Sequence, residues 1–170
     1  MSDSPFLFIR LEGTGVISVQ AARGRAAALI ENAPQNLGVP LREGPHRAAV
    51  HPVDALGIGP HRWLLVRYSD AREWASSVAQ RLAGDAAVCD QSDAYVLFAA
   101  SGPGVREALA RFVPVDLRPA VLTPDDVAVT SMGHMNVVLW QRESGDSACF
   151  CVAVASSYAR SFERLIGASH

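Results

Sequence analysis

Residues 133–140 (GHMNVVLW) place a histidine and an amide at the start of an apolar, strand-like run. Histidine titrates near neutral pH, so His134 is a candidate general acid or base at the start of a strand. Alternation gives the strand two faces, with Met135, Val137 and Leu139 on one and Asn136, Val138 and Trp140 on the other. The competing interpretation is a core strand without chemistry, and the rest of the sequence completes no catalytic site around His134.

Two cysteines, Cys149 and Cys151, lie in the strand-like ACFCVAV, where alternation points both thiols to one face. A C-x-C pair can ligate a metal, but no second pair lies nearby, so core thiols are the preferred interpretation. The third cysteine, Cys89, gives an odd number without the spacing of a disulfide framework. Cysteine usage therefore predicts a reducing compartment.

The glycines of SGPGVRE (101–107) could bring backbone N–H groups to a phosphate at the start of a helix. The segment lacks G-x-G-x-x-G spacing, and the chain contains no lysine, which rules out a complete P-loop and a Schiff-base lysine. The alternative needs only Gly102 as the helix cap and Pro103 at the first helical position, where its missing N–H costs nothing. We favour this capping role.

Charged residues offer weaker candidates. Residues 89–93 (CDQSD) could supply two carboxylates for acid–base chemistry, but Asp and Ser also satisfy the backbone of turns, and no base lies nearby. Three arginines, Arg106, Arg111 and Arg118, could bind carboxylates of a ligand or of a partner chain, or could simply be solvated. A turn and a solvated surface are the preferred interpretations.

The other histidines are not spaced as metal ligands. They are His46 and His51 in a proline-bounded stretch, His61 after a Gly-Pro pair, and the terminal His170. None has the helical spacing of H-E-x-x-H, and no G-x-S-x-G nucleophile motif is present. We therefore predict no catalytic, cofactor-binding or metal-binding residues in this chain.

Composition restricts the class of protein. The 170 residues are 49% hydrophobic and 19% charged, which is typical of a compact globular fold. The net charge of -2 and the lack of a basic run argue against nucleic acid and against an anionic membrane as partners. Neither a signal peptide nor an apolar run long enough to span a membrane is recognisable, so we predict a cytoplasmic protein.

A strand followed by a helix recurs four times along the chain. The pairs are GVISVQ with ARGRAAALIENA, RWLLVR with a helix from Asp70 to Gly84, AYVLFAA with GPGVREALARFV, and ACFCVAV with SSYARSFERLIG. Further strands are predicted at 54–59, 86–90 and 126–131, besides the run at 133–140. This excess of strands predicts an α+β fold with a mixed, largely antiparallel sheet and helices on one face, rather than a doubly wound parallel sheet.

Apolar stripes and caps define the helices. Asp70 and Glu73 resemble a capping box, and the stripes are Ala71, Trp74, Ala75, Val78 and Leu82; Val105, Ala108, Leu109 and Phe112; and Tyr158, Phe162, Leu165 and Ile166. Two proline-bearing segments, 32–46 and 113–126, are predicted as surface loops or partner-binding segments. No linker divides the chain, so residues 1–170 are predicted to form a single domain.

Three ordered stretches carry a family resemblance. They are LGIGPHRWLLV at 56–66, VCDQSDAYVLFAASGPGVREALARFVPVDLRP at 88–119, and MGHMNVVLWQ at 132–141 followed by CFCVAVASSYARSFERLI at 149–166. Together they resemble the gamma subunit of heterotetrameric sarcosine oxidase. The resemblance implies a fold similar to the first half of the folate-binding aminomethyltransferase of the glycine cleavage system, with pseudo-repeated strand–helix units.

The resemblance also implies partners and cofactors. Such complexes contain alpha, beta, gamma and delta subunits, demethylate sarcosine to glycine with oxygen, release peroxide, and can pass the one-carbon unit to tetrahydrofolate. FAD, FMN, NAD and tetrahydrofolate are then expected in the partner subunits and not in this chain. In such complexes the gamma chain is not the catalytic one, so the resemblance implies membership of an oxidoreductase complex without making this chain an enzyme.

The run at 133–140 distinguishes the two related families. Folate-dependent aminomethyltransferases carry a catalytic carboxylate at the start of the corresponding strand, whereas this chain has Gly133, His134, Met135 and Asn136 there. An amide does not take up a proton as a carboxylate does, which argues against folate catalysis. An independent folate-binding one-carbon protein and a stand-alone domain with an unrelated ligand stay open as alternatives.

Overall fold

The computed structural model describes residues 6–69, 71–144 and 147–167. These residues divide into two compact units. The terminal unit consists of the described residues of Met1–Glu12 and Ala94–His170, and the central unit consists of those of Gly13–Asp93. Each unit has its own five-stranded sheet and its own helices.

The described residues form ten strands and four α-helices. The strands are β1 (Leu7–Leu11), β2 (Gly15–Ala21), β3 (Arg47–Val50), β4 (Val53–Gly59), β5 (Arg62–Arg67), β6 (Ala86–Asp90), β7 (Tyr95–Ser101), β8 (Val127–Met132), β9 (Met135–Ser144) and β10 (Ser147–Ala155). The helices are α1 (Ala26–Leu37), α2 (Trp74–Arg81), α3 (Val105–Ala110) and α4 (Ala159–Gly167), and a 3₁₀ turn at Ser156–Tyr158 precedes α4.

The terminal unit has the strand order β1-β7-β10-β9-β8, with every neighbouring pair antiparallel. One face of this sheet packs against α3 and α4, and Phe98, Phe150 and Phe162 are fully buried there. Phe8 of β1 stacks on Phe98 with ring centroids 5.1 Å apart. Burying a phenylalanine side chain contributes about 1.5–3 kcal/mol, so these rings are major contributors to the core.

The central unit has the strand order β3-β4-β5-β2-β6, again with antiparallel neighbours. Its core joins Leu29 of α1 and Val78 of α2 to Trp63 of β5, all of them buried. Helix α1 continues through Pro34 to Leu37, beyond the alanine-rich segment that predicted it. The cap residue Gly38 then adopts a φ of 73°, and its N–H donates to the Pro34 carbonyl at 3.1 Å.

The α+β fold with largely antiparallel sheets is confirmed, and the four predicted strand–helix units are all present. The sequence-based prediction lacks two strands, β1 and β3. Both lie at the edge of a sheet, and an edge strand packs against one neighbour only. In β1 the apolar residues Leu7 and Ile9 are exposed, so the hydrophobic pattern of that strand does not indicate which of its faces is buried.

Two predicted helix starts are wrong. Helix α2 begins at Trp74, and Glu73 has a φ of 56° with no side-chain capping bond, so Glu73 does not complete a capping box. Asp70 lies outside the described residues. Helix α3 begins at Val105 after Gly104, whose φ of 76° is reached most readily by glycine. Gly102 is therefore not the cap, and Pro103 lies before the helix.

The apolar stripes are largely confirmed. Phe162 and Ile166 of α4 are fully buried, whereas Tyr158 is 52% exposed in the 3₁₀ turn and does not belong to the stripe.

The segments 32–46 and 113–126 are more than surface loops, because apolar residues within each are buried. These residues are Val39 and Leu41 in the first and Val113, Leu117 and Leu122 in the second.

Candidate functional site

Gly133 and His134 form the two-residue turn between β8 and β9. Met132 and Met135 pair across this turn, and the φ angles of Gly133 and His134 are 53° and 72°. Positive φ at both central residues is the signature of a type I′ hairpin turn. His134 is exposed at its tip, so the structure places this candidate acid or base on a hairpin and not in a pocket.

The strand that follows is the predicted core strand. Met135, Val137 and Leu139 belong to the core of the terminal unit, and Val138 and Trp140 on the opposite face are also buried. Asn136 pairs with Ser131 and is exposed. Asn136, where the sequence resemblance led us to expect a carboxylate in a folate-dependent enzyme, is therefore an exposed amide beside a hairpin turn.

The glycine-rich segment 101–104 leads into the short helix α3. Helix α3 has six residues, and the short helix follows Gly102, Pro103 and Gly104 without a side-chain cap. Backbone hydrogen bonds account for its start, since the Val105 N–H donates to the Gly102 carbonyl at 3.3 Å. A helix this short offers a weak dipole for an anion.

Arg106 is the most thoroughly engaged of the three candidate arginines. Its Nη1 donates to the Leu117 carbonyl, its Nη2 donates to Gln141 Oε1 at 2.8 Å, and its guanidinium carbon lies 5.0 Å from the centroid of the Phe150 ring. These contacts fasten the 113–118 segment to α3 and β9. Arg106 is thus a structural residue, and the interpretation as a purely solvated side chain is wrong for it.

Arg118 and Arg111 remain on the surface. Arg118 is paired with Asp116, and hydrogen bonds from Arg118 lower the pKa of the Asp116 carboxyl. A shallow groove of about 240 Å³ lies beside this pair, between α3 and the segment 115–119. Its walls are mostly apolar, and Arg111 is exposed near the end of α3 without lining it.

Cys89 and Asp90 are the last residues of β6, and a turn follows at 92–94, as preferred from the sequence. The Ser92 N–H donates to Asp90 Oδ1 at 2.9 Å, and the Ser92 hydroxyl oxygen accepts a bond from the Val16 N–H at 3.1 Å. Hydrogen bonds from the Ser92 backbone and hydroxyl lower the pKa of the Asp90 carboxyl. The Asp90 carboxylate therefore holds the turn through Ser92, and the Ser92 hydroxyl holds it against β2.

The two cysteines of the C-x-C pair differ in burial. None of the three cysteines forms a disulfide; Cys151 is fully buried, Cys149 is partly exposed, and Cys89 is exposed. The prediction of a core thiol is right for Cys151. It is wrong for Cys149, the third residue of β10, which is only partly buried.

The histidines stay dispersed. His61 occupies the turn between β4 and β5 with a φ of 53°, its N–H donates to Glu43 Oε1 at 3.0 Å, and its Nδ1 lies 3.3 Å from Glu43 Oε2. His46 and His51 are exposed, and His170 lies outside the described residues. Within the described ranges, no group of three or more His, Cys, Asp or Glu side chains could hold a metal ion.

Sequence reasoning missed a buried polar cluster in the central unit. Asp54 of β4 is 3% exposed, accepts a bond from Arg47 Nη2 at 2.8 Å, and accepts a second from the Tyr68 hydroxyl at 2.6 Å. A charged residue inside VDALGIG, a strand otherwise free of charge, was the available signal. A cation and a hydroxyl already bind the carboxylate, so the cluster serves the fold.

The two antiparallel α+β units place this chain in a fold class that solved structures also contain. The chain is similar to heterotetrameric sarcosine oxidase from Corynebacterium sp. U-96, solved in complex with pyrrole 2-carboxylate, with a TM-score of 0.81 and 21% identity. The match covers 96% of this chain and 83% of that chain. The fold relative implied by the sequence resemblance is thereby confirmed.

A second similarity involves a longer protein. Glycine cleavage system aminomethyltransferase T from Bartonella henselae matches with a TM-score of 0.69 and 14% identity, over 96% of this chain but 45% of that chain. At such identities the likeness establishes the fold alone. No protein-family model and no curated protein matches the sequence. None of the described helices combines the length and apolar character needed to cross a membrane.

Proposed function

We propose that this chain is a non-catalytic small subunit, of the gamma type, in a heterotetrameric complex of the sarcosine oxidase type. One observation carries the proposal: the fold similarity to a chain of heterotetrameric sarcosine oxidase extends over 96% of this chain and most of that one. A chain of matching extent is what an equivalent subunit requires, whereas the aminomethyltransferase has more than half of its length without a counterpart here.

The local chemistry supports a non-catalytic role. Asn136 cannot act as the carboxylate of a folate-dependent aminomethyltransferase, and His134 stands exposed on a hairpin turn. The carboxylate of Asp54 and the guanidinium of Arg106 are bound within the chain. In the proposed complex, the alpha and beta subunits hold FAD, FMN, NAD and tetrahydrofolate, demethylate sarcosine to glycine in the cytoplasm, and select the amine.

The proposed task of this chain is to pack against the alpha subunit. Large apolar side chains exposed on the terminal unit include Leu7 and Ile9 of the edge strand β1 and Val121 in the segment 113–126. Contiguous exposed apolar side chains mark interaction surfaces on soluble proteins, and arginine is enriched at protein interfaces. These two surfaces are therefore the places to look for the partner contact.

Co-expression tests the proposal directly. The tagged chain is produced together with any flavin-binding oxidase subunits that adjacent genes encode, and a complex of defined stoichiometry is expected after affinity and size-exclusion chromatography. The double substitution Leu7→Asp with Ile9→Asp tests the β1 edge, and Val121→Asp tests the other surface. Val50→Asp, at a similarly exposed position on β3 of the central unit, is the matched control. Recovery of the chain without any oxidase subunit would contradict the proposal.

The similarity to the aminomethyltransferase favours one alternative function, an independent folate-binding one-carbon protein. Calorimetric titration of the isolated chain with tetrahydrofolate separates the two. Heat of binding at micromolar protein supports the alternative, and its absence, together with co-purification of the oxidase subunits, supports the subunit role.

A further inference from the structure

The C-x-C pair on β10 presents a half-covered sulfur beside a buried one. Phe150 and Val152 point into the core of the terminal unit, so Cys149 and Cys151 lie on the opposite face of the sheet. Cys151 is fully buried, whereas Cys149 retains solvent exposure. Cys149 is therefore the more accessible of the two residues to a reagent in solution.

The neighbours of Cys149 stabilise a negative charge on its sulfur. The Cys151 side chain makes a hydrogen bond to Cys149, and Arg142 of β9 lies directly opposite in the sheet register. On the other side, Ser101 of β7 is the paired residue, and it is neutral. The Cys151 hydrogen bond and the Arg142 charge together lower the pKa of Cys149 to about 7, against partial burial, which raises it.

We propose that Cys149 is a site of covalent thiol modification, at which a peroxide oxidises the sulfur to a sulfenic acid while Cys151 and Arg142 stabilise the reacting thiolate. The thiolate sulfur attacks one peroxide oxygen, an S–O bond forms and the O–O bond breaks. The sulfur loses two electrons, and the leaving hydroxide takes up a proton and departs as water. This proposal is independent of the oxidase-subunit role.

The strand geometry keeps the product from closing onto Cys151. Residues two apart in a strand are separated by about 6.8 Å between Cα atoms, at the upper limit of the range that disulfides span. Cys149 pairs with Arg142 and Ser101, and Cys151 pairs with Trp140 and Ala99, so β10 is held on both sides. The oxidised Cys149 therefore persists as a sulfenic acid or reacts with a small thiol from solution.

Trapping identifies the oxidised residue. The full chain is treated with hydrogen peroxide at pH 7 in the presence of dimedone, which captures sulfenic acids, and the adducts are assigned by tandem mass spectrometry. Cys89 is the internal control for access, because it is exposed. We expect labelling at Cys149 at least about fivefold faster than at Cys89 and none at Cys151. Equal or faster labelling at Cys89, or a Cys149–Cys151 disulfide as the main product, overturns the proposal.

The pH profile of alkylation tests the roles of the neighbours. Iodoacetamide should modify Cys149 with a midpoint near pH 7. Replacing the hydrogen-bonding partner in Cys151→Ala should move this midpoint upward by about one pH unit, and Arg142→Gln should move it upward by less. Circular dichroism verifies that both variants fold. If Cys151→Ala does not fold, Arg142→Gln still provides the test, because Arg142 is at a partly exposed position. An unchanged midpoint in the folded variants overturns the assignment of these two neighbours.

Discussion

Arg47 Nη2 lies 2.8 Å from Asp54 Oδ1 in the central unit, with side-chain exposures of 11% and 4%. The Tyr68 hydroxyl donates to the second carboxylate oxygen at 2.6 Å. A carboxylate this deeply buried keeps its charge only when a cation and hydrogen-bond donors replace the lost water. The three side chains therefore depend on one another, and they hold the end of β5 to β3 and β4.

Replacing Arg47 should destabilise the protein strongly. Arg47→Met removes the cation and leaves the Asp54 charge buried with only hydrogen-bond donors, so we expect the free energy of unfolding to fall by about 3 kcal/mol in urea. The double variant Arg47→Met with Asp54→Leu should recover most of that loss, because it removes the buried charge altogether. Arg25→Ala, at the exposed Arg25–Asp85 pair, is the control and should cost less than about 1 kcal/mol. Equal losses in the Arg47 and Arg25 variants would refute the assignment.

The hairpin turn should be stabilised by a glycine at its second position. His134 has a φ of 72°, a region that costs a residue with a Cβ about 1–2 kcal/mol, so His134→Gly should raise the free energy of unfolding by up to about 1 kcal/mol. Gly133→Ala should lower it, because a Cβ there would lie 2.6 Å from Leu165 Cδ2. Thermal melts of both variants give the comparison. A destabilised His134→Gly variant would show that the imidazole makes a contribution of its own.

Most of the strands and the fold class follow from local patterns in the sequence. Apolar runs such as RWLLVR and the alternation from Met135 to Trp140 indicate which residues of a single strand are buried, without reference to the rest of the chain. The starts of α2 and α3 do not follow from the sequence, because Glu73 and Gly104, which precede these helices, adopt a left-handed backbone conformation. A sequence pattern indicates a helix start mainly through side chains that can cap it, and neither α2 nor α3 has a side-chain cap.

The structural roles of Arg106 and Asp54 could not be predicted because their partners are set by the fold. Arg106 meets Gln141, a residue 35 positions away, and Asp54 meets Tyr68, 14 positions away. A single sequence contains no signal for such pairs. The difference between Cys149 and Cys151 could not be predicted either, since both lie on one face of β10 and only Cys151 is fully buried.

Arg106 should control the order of the segment it holds. Arg106→Lys keeps the charge but loses the planar fork that reaches the Leu117 carbonyl and Gln141 together, so we expect a loss of about 1–3 kcal/mol. Hydrogen exchange should quicken in residues 113–118 more than elsewhere. Arg111→Lys, at an exposed position directly after the same helix, is the matched control and should change neither quantity. Uniform exchange across the chain in Arg106→Lys would argue against this fastening role.

Restoring a carboxylate at position 136 should not restore folate chemistry. Asn136 is exposed beside the turn, so Asn136→Asp creates a solvated acid with an ordinary environment instead of a base held against a substrate. We expect no tetrahydrofolate-dependent turnover from this variant, assayed as release or transfer of a one-carbon unit. Asn136→Ser is the control for general effects of the substitution. Measurable turnover in the aspartate variant alone would mean that a working folate pocket has survived.

The low pKa of Cys149 should make stability depend on pH. The pKa of the folded-state thiol is lowered to about 7 from a reference value of 9.0, chiefly by the Cys151 hydrogen bond. Between these values the unfolded chain binds the proton more tightly, so the free energy of unfolding rises with pH from 7 to 9. The contribution is complete above pH 9 and is lost as the pH falls through 7.

The measurement compares the wild type with Cys149→Ser in urea under reducing conditions. Because the thiol is partly exposed and solvent screens its charge, we expect the stability difference to grow by about 1 kcal/mol in favour of the wild type between pH 7 and 9. Cys89→Ser, at the exposed thiol of β6, is the matched control and should follow the wild type. A difference that stays constant across this interval would mean that Cys149 titrates alike in the folded and unfolded chains, and the stabilised thiolate would have to be abandoned.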